Sequence, residues 1–236
     1  MIARYFPFGG DVYSFFFWFL NALHNIQQVK IWYTKQETSV VNIDMKANIC
    51  SVKYNPGSSY HVAVSFYTFK SLSVCIRSFA YWHFAGGFCI RYYDLRNISQ
   101  QSHRFSGHRK AVSYVKCISD SELASASTDS TLHLWDVKEN VRTFRGHTNE
   151  KNFVGLSVNN EYIACRSESN EVFVIDMIRL NLSRPAAWRR LSSETNEGEE
   201  EAGSYFISTV CWKSDSPTML TANSEGTIKV LVLAAA

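Results

Sequence analysis

His108, Ser127 and Asp129 are the residue types that acyl-transfer chemistry uses, and they fall close together in the chain, with Trp135 just beyond. A nucleophilic serine of that kind sits on a strand–turn–helix elbow, beside a turn that donates to an oxyanion. Neither pattern accompanies Ser127, so a hydrolase built on Ser127 and His108 is the weakest reading of these residues. The six cysteines, at positions 50, 75, 89, 117, 165 and 211, are scattered. They form no Cys-x-x-Cys pair and no Cys/His spacing suited to zinc, so neither a metal nor a cofactor is expected. Cys117 and Cys165 lie in apolar strand patterns and read as buried, reduced thiols.

The elements that hold these residues repeat. Gly107-His108 opens a segment that runs through a polar turn, Ser127-Thr128-Asp129-Ser130-Thr131, to the alternating strand Leu132-His133-Leu134-Trp135-Asp136. Gly146-His147 opens the next segment 39 residues later. A period of about 40–45 residues with these marks is that of a WD40 β-propeller. In such a blade His108, Ser127, Asp129 and Trp135 form a buried hydrogen-bond chain that ties the Gly-His turn to the third strand and fixes its register. One blade on, the counterparts are His147, Ser167, Asn170 and Ile175, a degraded chain that leaves the blade to packing.

Aligned on the last apolar position of the third strand, the blades fall at Trp32, Tyr93, Trp135, Ile175 and Leu231, at intervals of 61, 42, 40 and 56 residues. The expected fold is all-β: an incomplete propeller over 29–234, of about four blades plus part of another. The two long intervals mark a segment at 66–89 and an acidic loop at 177–203, where five glutamates in eight positions argue for a solvated segment. Residues 1–28 and 66–89 together hold 17 of the 34 aromatics and show no blade period. The apolar run 13–20 is too short to span a bilayer, which takes about 20 helical residues, and it lacks a clean cleavage site. A formal charge of +3, with no repeating basic face, argues against nucleic acid as a partner. No membrane partner is expected either.

Beyond these general marks, longer runs carry a resemblance. Thr34 to Cys50, Val52 to Ser59, Tyr92 to Ser99, Gly107 to Lys138, Gly146 to Gly155 and Ala202 to Leu233 resemble the C-terminal WD40 domain of the plant constitutive photomorphogenesis E3 ubiquitin ligase family. The likeness covers about 29–65, 90–176 and 202–234; the suppressor-of-phytochrome-A relatives share the Thr148–Gly155 run but should match less well at 42–59 and 202–220. The parent propeller is seven-bladed. The family's RING and coiled-coil regions and its first blades have no counterpart here, and 1–28 and 66–89 resemble nothing in it. The expectation is a fragmentary or misassembled reading frame that recognises targets without transferring ubiquitin.

The resemblance also implies a site. In this family the top face of the propeller binds peptides with a Val-Pro pair preceded by acidic residues. By match, Lys110 pairs with a peptide carboxylate, Phe153 helps to form the Val-Pro pocket, and Glu150 completes the rim. Tyr93-Asp94-Leu95-Arg96 resembles the Trp-Asp-x-Arg element that engages a cullin–RING ligase adaptor, which makes Asp94 and Arg96 candidate contacts. The implied partners are Val-Pro-motif proteins (transcription factors and photoreceptors), the suppressor-of-phytochrome-A proteins and that adaptor. The implied role is repression of photomorphogenesis, in nucleus and cytoplasm. A scaffold or dominant-negative fragment is the alternative, and weakened peptide binding is expected because other pocket residues come from the missing blades.

Overall fold

The computed structural model describes residues 12–13, 28–33, 38–55, 60–67, 88–119, 121–136, 141–150, 155–181, 188–191 and 206–233. The described segments are antiparallel strands with their turns, apart from one helix of five residues. The chain divides into two compact units, Met1–Ala111 and Val112–Ala236.

The first unit holds two sheets. One is β1 (Val12–Tyr13), β2 (Gln28–Tyr33) and β3 (Val41–Asp44); the other is β4 (Asn48–Tyr54), β5 (His61–Tyr67), β6 (Cys89–Asp94) and β7 (His103–Ser106), in that spatial order. Alternate residues of these strands supply its core: Val29, Ile43, Val62, Val64, Phe66 and Tyr93 are buried together. Burying an aliphatic or aromatic side chain of this size stabilises by about 1.5–3 kcal/mol. The non-matching segment begins and ends inside paired strands, because Phe66 stands opposite Cys89 on the β5–β6 ladder. Its interior, 68–87, lies outside the described residues, as does most of 1–28.

The second unit holds three sheets. They are β8 (Val112–Cys117), β9 (Glu122–Ser127), β10 (Thr131–Asp136) and β11 (Val141–Arg145); then β12 (Leu156–Val158), β13 (Tyr162–Arg166), β14 (Val172–Asp176) and β15 (Trp188–Leu191), with α1 (Met177–Asn181) between the last two; then β16 (Ile207–Trp212), β17 (Thr218–Asn223) and β18 (Ile228–Val232). Strands covered on both faces read as continuous apolar or small runs. So it is with Leu123-Ala124-Ser125-Ala126-Ser127 and Val172-Phe173-Val174-Ile175-Asp176, which are buried throughout.

Among the described residues, five sheets of three or four strands in up-and-down order are the blades of an incomplete propeller. The expected acidic loop at 177–203 needs a narrower boundary. Met177–Asn181 is helical, and Trp188–Leu191 is the fourth strand of its sheet, running from Ile175↔Trp188 to Val172↔Leu191. A four-residue edge strand with two central arginines carries too little alternation to be read from sequence. The glutamate run that follows lies outside the described residues. Among the described residues no helix is long and apolar enough to cross a membrane.

Candidate functional site

Ser127 and Asp129 serve the turn they occupy. The Asp129 N–H donates to Ser127 Oγ at 3.2 Å, the Ser130 N–H to the Ser127 carbonyl at 3.2 Å, and the Thr131 N–H to Asp129 Oδ1 at 3.0 Å. Ser127 is fully buried, so its hydroxyl is no accessible nucleophile. His108 is buried as well.

The link from Trp135 corrects the sequence reading. The indole N–H donates to Ser125 Oγ at 2.7 Å, and not to Ser127. The register explains why. Trp135 stands opposite Leu123, His133 opposite Ser125 and Thr131 opposite Ser127, all on one sheet face. Ser125 is therefore the diagonal neighbour of the indole, while Ser127 lies a further two residues along the strand, about 7 Å away. The ring of His133 packs beside it, 5.0 Å from that of Trp135.

The next sheet repeats the turn with other residues. Ser169 N–H approaches Ser167 Oγ at 3.4 Å, as Asp129 does Ser127. Asn170 has φ +57°, matching Ser130 at +59° and, in the last sheet, Gly226 at +86°. Asn170 is thus the counterpart of Ser130, and Ser169 occupies the place of Asp129, which corrects the alignment read from the sequence. By the same register Ile175 replaces Trp135 and Cys165 replaces Ser125. Both are fully buried, and burial pushes the Cys165 thiol up to about 12.

Between the two sheets runs the loop Gly146-His147-Thr148-Asn149, bonded on both sides. Toward β9–β10, Asn149 Nδ2 donates to the Ser127 carbonyl at 2.9 Å and the Asn149 N–H donates to Ser130 Oγ at 2.9 Å. Toward β13–β14, the Thr148 N–H donates to Ser167 Oγ at 2.9 Å, and the Glu168 N–H donates to the Thr148 carbonyl at 2.8 Å. Gly146 allows the loop its entry at φ +117°. Asn149 is fully buried, and His147 is buried with its ring 6.0 Å from Phe173. Glu150, the next residue, is exposed. Asn149 went unread in the sequence, where the only signal was a small amide between a Gly-His pair and an acidic residue.

Lys110 is exposed two residues after the buried His108, in the first unit. Phe153 lies outside the described residues. Lys110 and Glu150 thus share a local context, an exposed charge just beyond a buried anchor.

Asp94 and Arg96 meet each other. Arg96 donates to the Asp94 carboxylate through Nε at 2.9 Å and Nη2 at 2.6 Å, and its guanidinium lies 4.9 Å from the Tyr60 ring centre. The hydrogen bonds from Arg96 hold the Asp94 carboxyl well below the ordinary carboxylate range. Tyr93, in the place of a Trp, directs its hydroxyl to Met45 Sδ at 3.4 Å.

Comparison with known proteins agrees with this geometry. Residues 99–136 match the WD domain, G-beta repeat, a span that contains His108, Ser125, Ser127, Asp129 and Trp135. The chain is similar to the E3 ubiquitin-protein ligase COP1 of Arabidopsis thaliana, 64% identical over 211 residues, 88% of this chain and 28% of that protein. COP1 of Pisum sativum is 61% identical over the same shares. Protein SPA1-RELATED 4 of Arabidopsis thaliana is 38% identical over 86% of this chain and 24% of its own length. The chain therefore spans little more than a quarter of the ligases it matches. Among solved structures, Chaetomium thermophilum Raptor superposes with a TM-score of 0.65 over 89% of this chain and 18% of that one; at 17% identity this is a likeness of fold.

Proposed function

Because the chain belongs with the WD40 region of the COP1 ubiquitin-protein ligases, we propose that it is a substrate-recognition module of such a ligase. The observation that carries the reading is the 64% identity to a protein named as an E3 ubiquitin-protein ligase, over a segment with the blade architecture of a binding platform. In this reading the ligand is a peptide with a Val-Pro pair preceded by acidic residues. Lys110 pairs with its carboxylate, Phe153 contributes to the apolar pocket, and Glu150 completes the rim. Proline limits the entropy a peptide loses on binding, and a lysine adds orientation and on-rate. The buried anchors behind Lys110 and Glu150 support this assignment, since a charge on a fixed loop costs less to order than one on a free loop.

The SPA1-related proteins are proposed as associates, Asp94 and Arg96 as contacts for a cullin–RING ligase adaptor, and repression of photomorphogenesis in nucleus and cytoplasm as the outcome. Fluorescence anisotropy with a labelled Val-Pro peptide tests the core of the reading. Lys110→Glu should abolish binding while leaving the thermal melt unchanged; unaltered affinity would sink the assignment.

A second reading, a non-catalytic scaffold, is favoured by one feature. Leu220, Ile228, Val230 and Val232 expose an apolar face on the last sheet, with Leu220 opposite Val230. Co-purification with a full-length ligase, without peptide affinity, would select it.

A further inference from the structure

The first unit contains a cavity of about 420 Å³ lined by Asn42, Asp44, Arg91, Tyr93, Ser99 and Gln101. That volume lies within the range of small-molecule sites, roughly 300–1,000 Å³. Its lining is mostly polar, which selects a hydrophilic ligand.

Arg91 is placed there at a cost. It stands directly opposite Arg104 on the β6–β7 ladder, and like charges so placed destabilise a strand pair. No carboxylate among the described residues lies within ion-pair distance of it. Its Nε is buried without a hydrogen-bond partner, Nη1 makes only a 3.5 Å bond to the Tyr93 hydroxyl, and the guanidinium rests 4.6 Å from the Phe66 ring centre. Buried donors in folded proteins are normally satisfied, and this Nε is closed to solvent, so a ligand in the cavity would meet the guanidinium at its Nη atoms.

Asp44 lines the same cavity and does not pair with Arg91. One of its oxygens accepts the Lys46 N–H at 3.0 Å, which fixes the carboxylate. A cation and an anion therefore share one cavity without meeting. A ligand with a single charge would satisfy only one of them.

We propose that this cavity binds a small zwitterion of the amino-acid or dipeptide class. Its carboxylate lies on the Arg91 fork, which suits that group's planar geometry, and its ammonium lies on Asp44. Asn42, Ser99 and Gln101 supply the neutral polar contacts. This site is separate from the peptide-binding residues proposed above and stands whether or not they bind.

Calorimetric titration of the full chain with alanyl-alanine, its N-acetyl form and its C-terminal amide tests the assignment. The free dipeptide should saturate the chain, and each blocked form should bind at least about tenfold more weakly, a difference of about 1.4 kcal/mol. Asp44→Asn should remove the penalty of acetylation and leave that of amidation; Arg91→Gln should do the reverse. Should Arg91→Gln fail to melt cooperatively, Arg91→Lys keeps the charge without the fork and should still weaken binding of the free dipeptide. No saturation by the free dipeptide at concentrations on the order of 1 mM would overturn the proposal. So would equal affinity for the three forms, or penalties indifferent to the substitutions.

Discussion

The sheets β8–β11 and β12–β15 solve one problem in two ways. The first buries an indole and gives its N–H to Ser125; the second buries Ile175 and puts Cys165 where that serine would stand. Either pair is self-consistent, because a buried donor with its acceptor and an apolar pair without one both avoid an orphaned polar atom. What the two sheets share is the turn, with a serine at its start and a left-handed residue near its end, and both turns grip the loop 146–149. The core pair is free to change as long as both members change. The turns that hold the loop are less free, because each supplies hydrogen-bond partners to its backbone or to Asn149.

Substitutions can break this comparison, and the largest effect should come from emptying the polar sheet. Trp135→Ala removes a buried indole and should cost about 3–5 kcal/mol in denaturant unfolding. If Trp135→Ala costs less than Ile175→Ala, the indole is not the centre of its sheet. Next is Asn149→Ala. It leaves the Ser127 carbonyl without its amide donor, so a loss of about 1–3 kcal/mol is expected, with weaker peptide binding. A wild-type melt for that variant would show the loop to be dispensable.

Ser125→Ala sharpens the contrast, orphaning the indole N–H at about 1–3 kcal/mol, whereas Ser125→Ala in a Trp135→Ile background should cost far less. Additive losses would mean that the two residues are not a pair. The difference also appears in reactivity. With its thiol pushed up to about 12, Cys165 should resist a thiol reagent at pH 8 until the chain unfolds, while the exposed Cys211 reacts at once.

The smallest effect lies at Asp94. Its carboxyl titrates lower in the folded chain than in the unfolded one, so its contribution is complete above the ordinary carboxylate value, about 3.9. The contribution is lost as pH falls from there toward the folded value. Because the pair is exposed, Asp94→Asn should change stability only slightly at pH 7, and the difference from wild type should shrink further in acid. A large loss at neutral pH would mean that Asp94 holds more than Arg96.

The sequence showed the blade period because the Gly-His openings and the Trp-Asp ending are fixed by backbone turns and by the largest buried side chain. It misassigned the partner of that side chain because Ser125 and Ser127 share one face of β9, and only the cross-strand register decides between them. It hid β15 for want of alternation in four residues. Chain order pairs Asn170 with Asp129, yet its left-handed backbone places it with Ser130. Lys110 and Glu150 were legible as exposed charges after a Gly-His pair, but the amide that anchors Glu150 was not, since a buried asparagine looks like any loop asparagine until its partners are placed.

The grip on the loop from both sheets is open to one direct measurement, native-state hydrogen exchange at the Thr148 and Asn149 amides. Both should be protected as strongly as the strands of their sheets. Ser167→Ala should release the Thr148 amide, and Ser130→Ala the Asn149 amide, each leaving the other largely protected. Exchange of both amides in the unmodified chain at the rate of a free surface loop would contradict the two-sided grip.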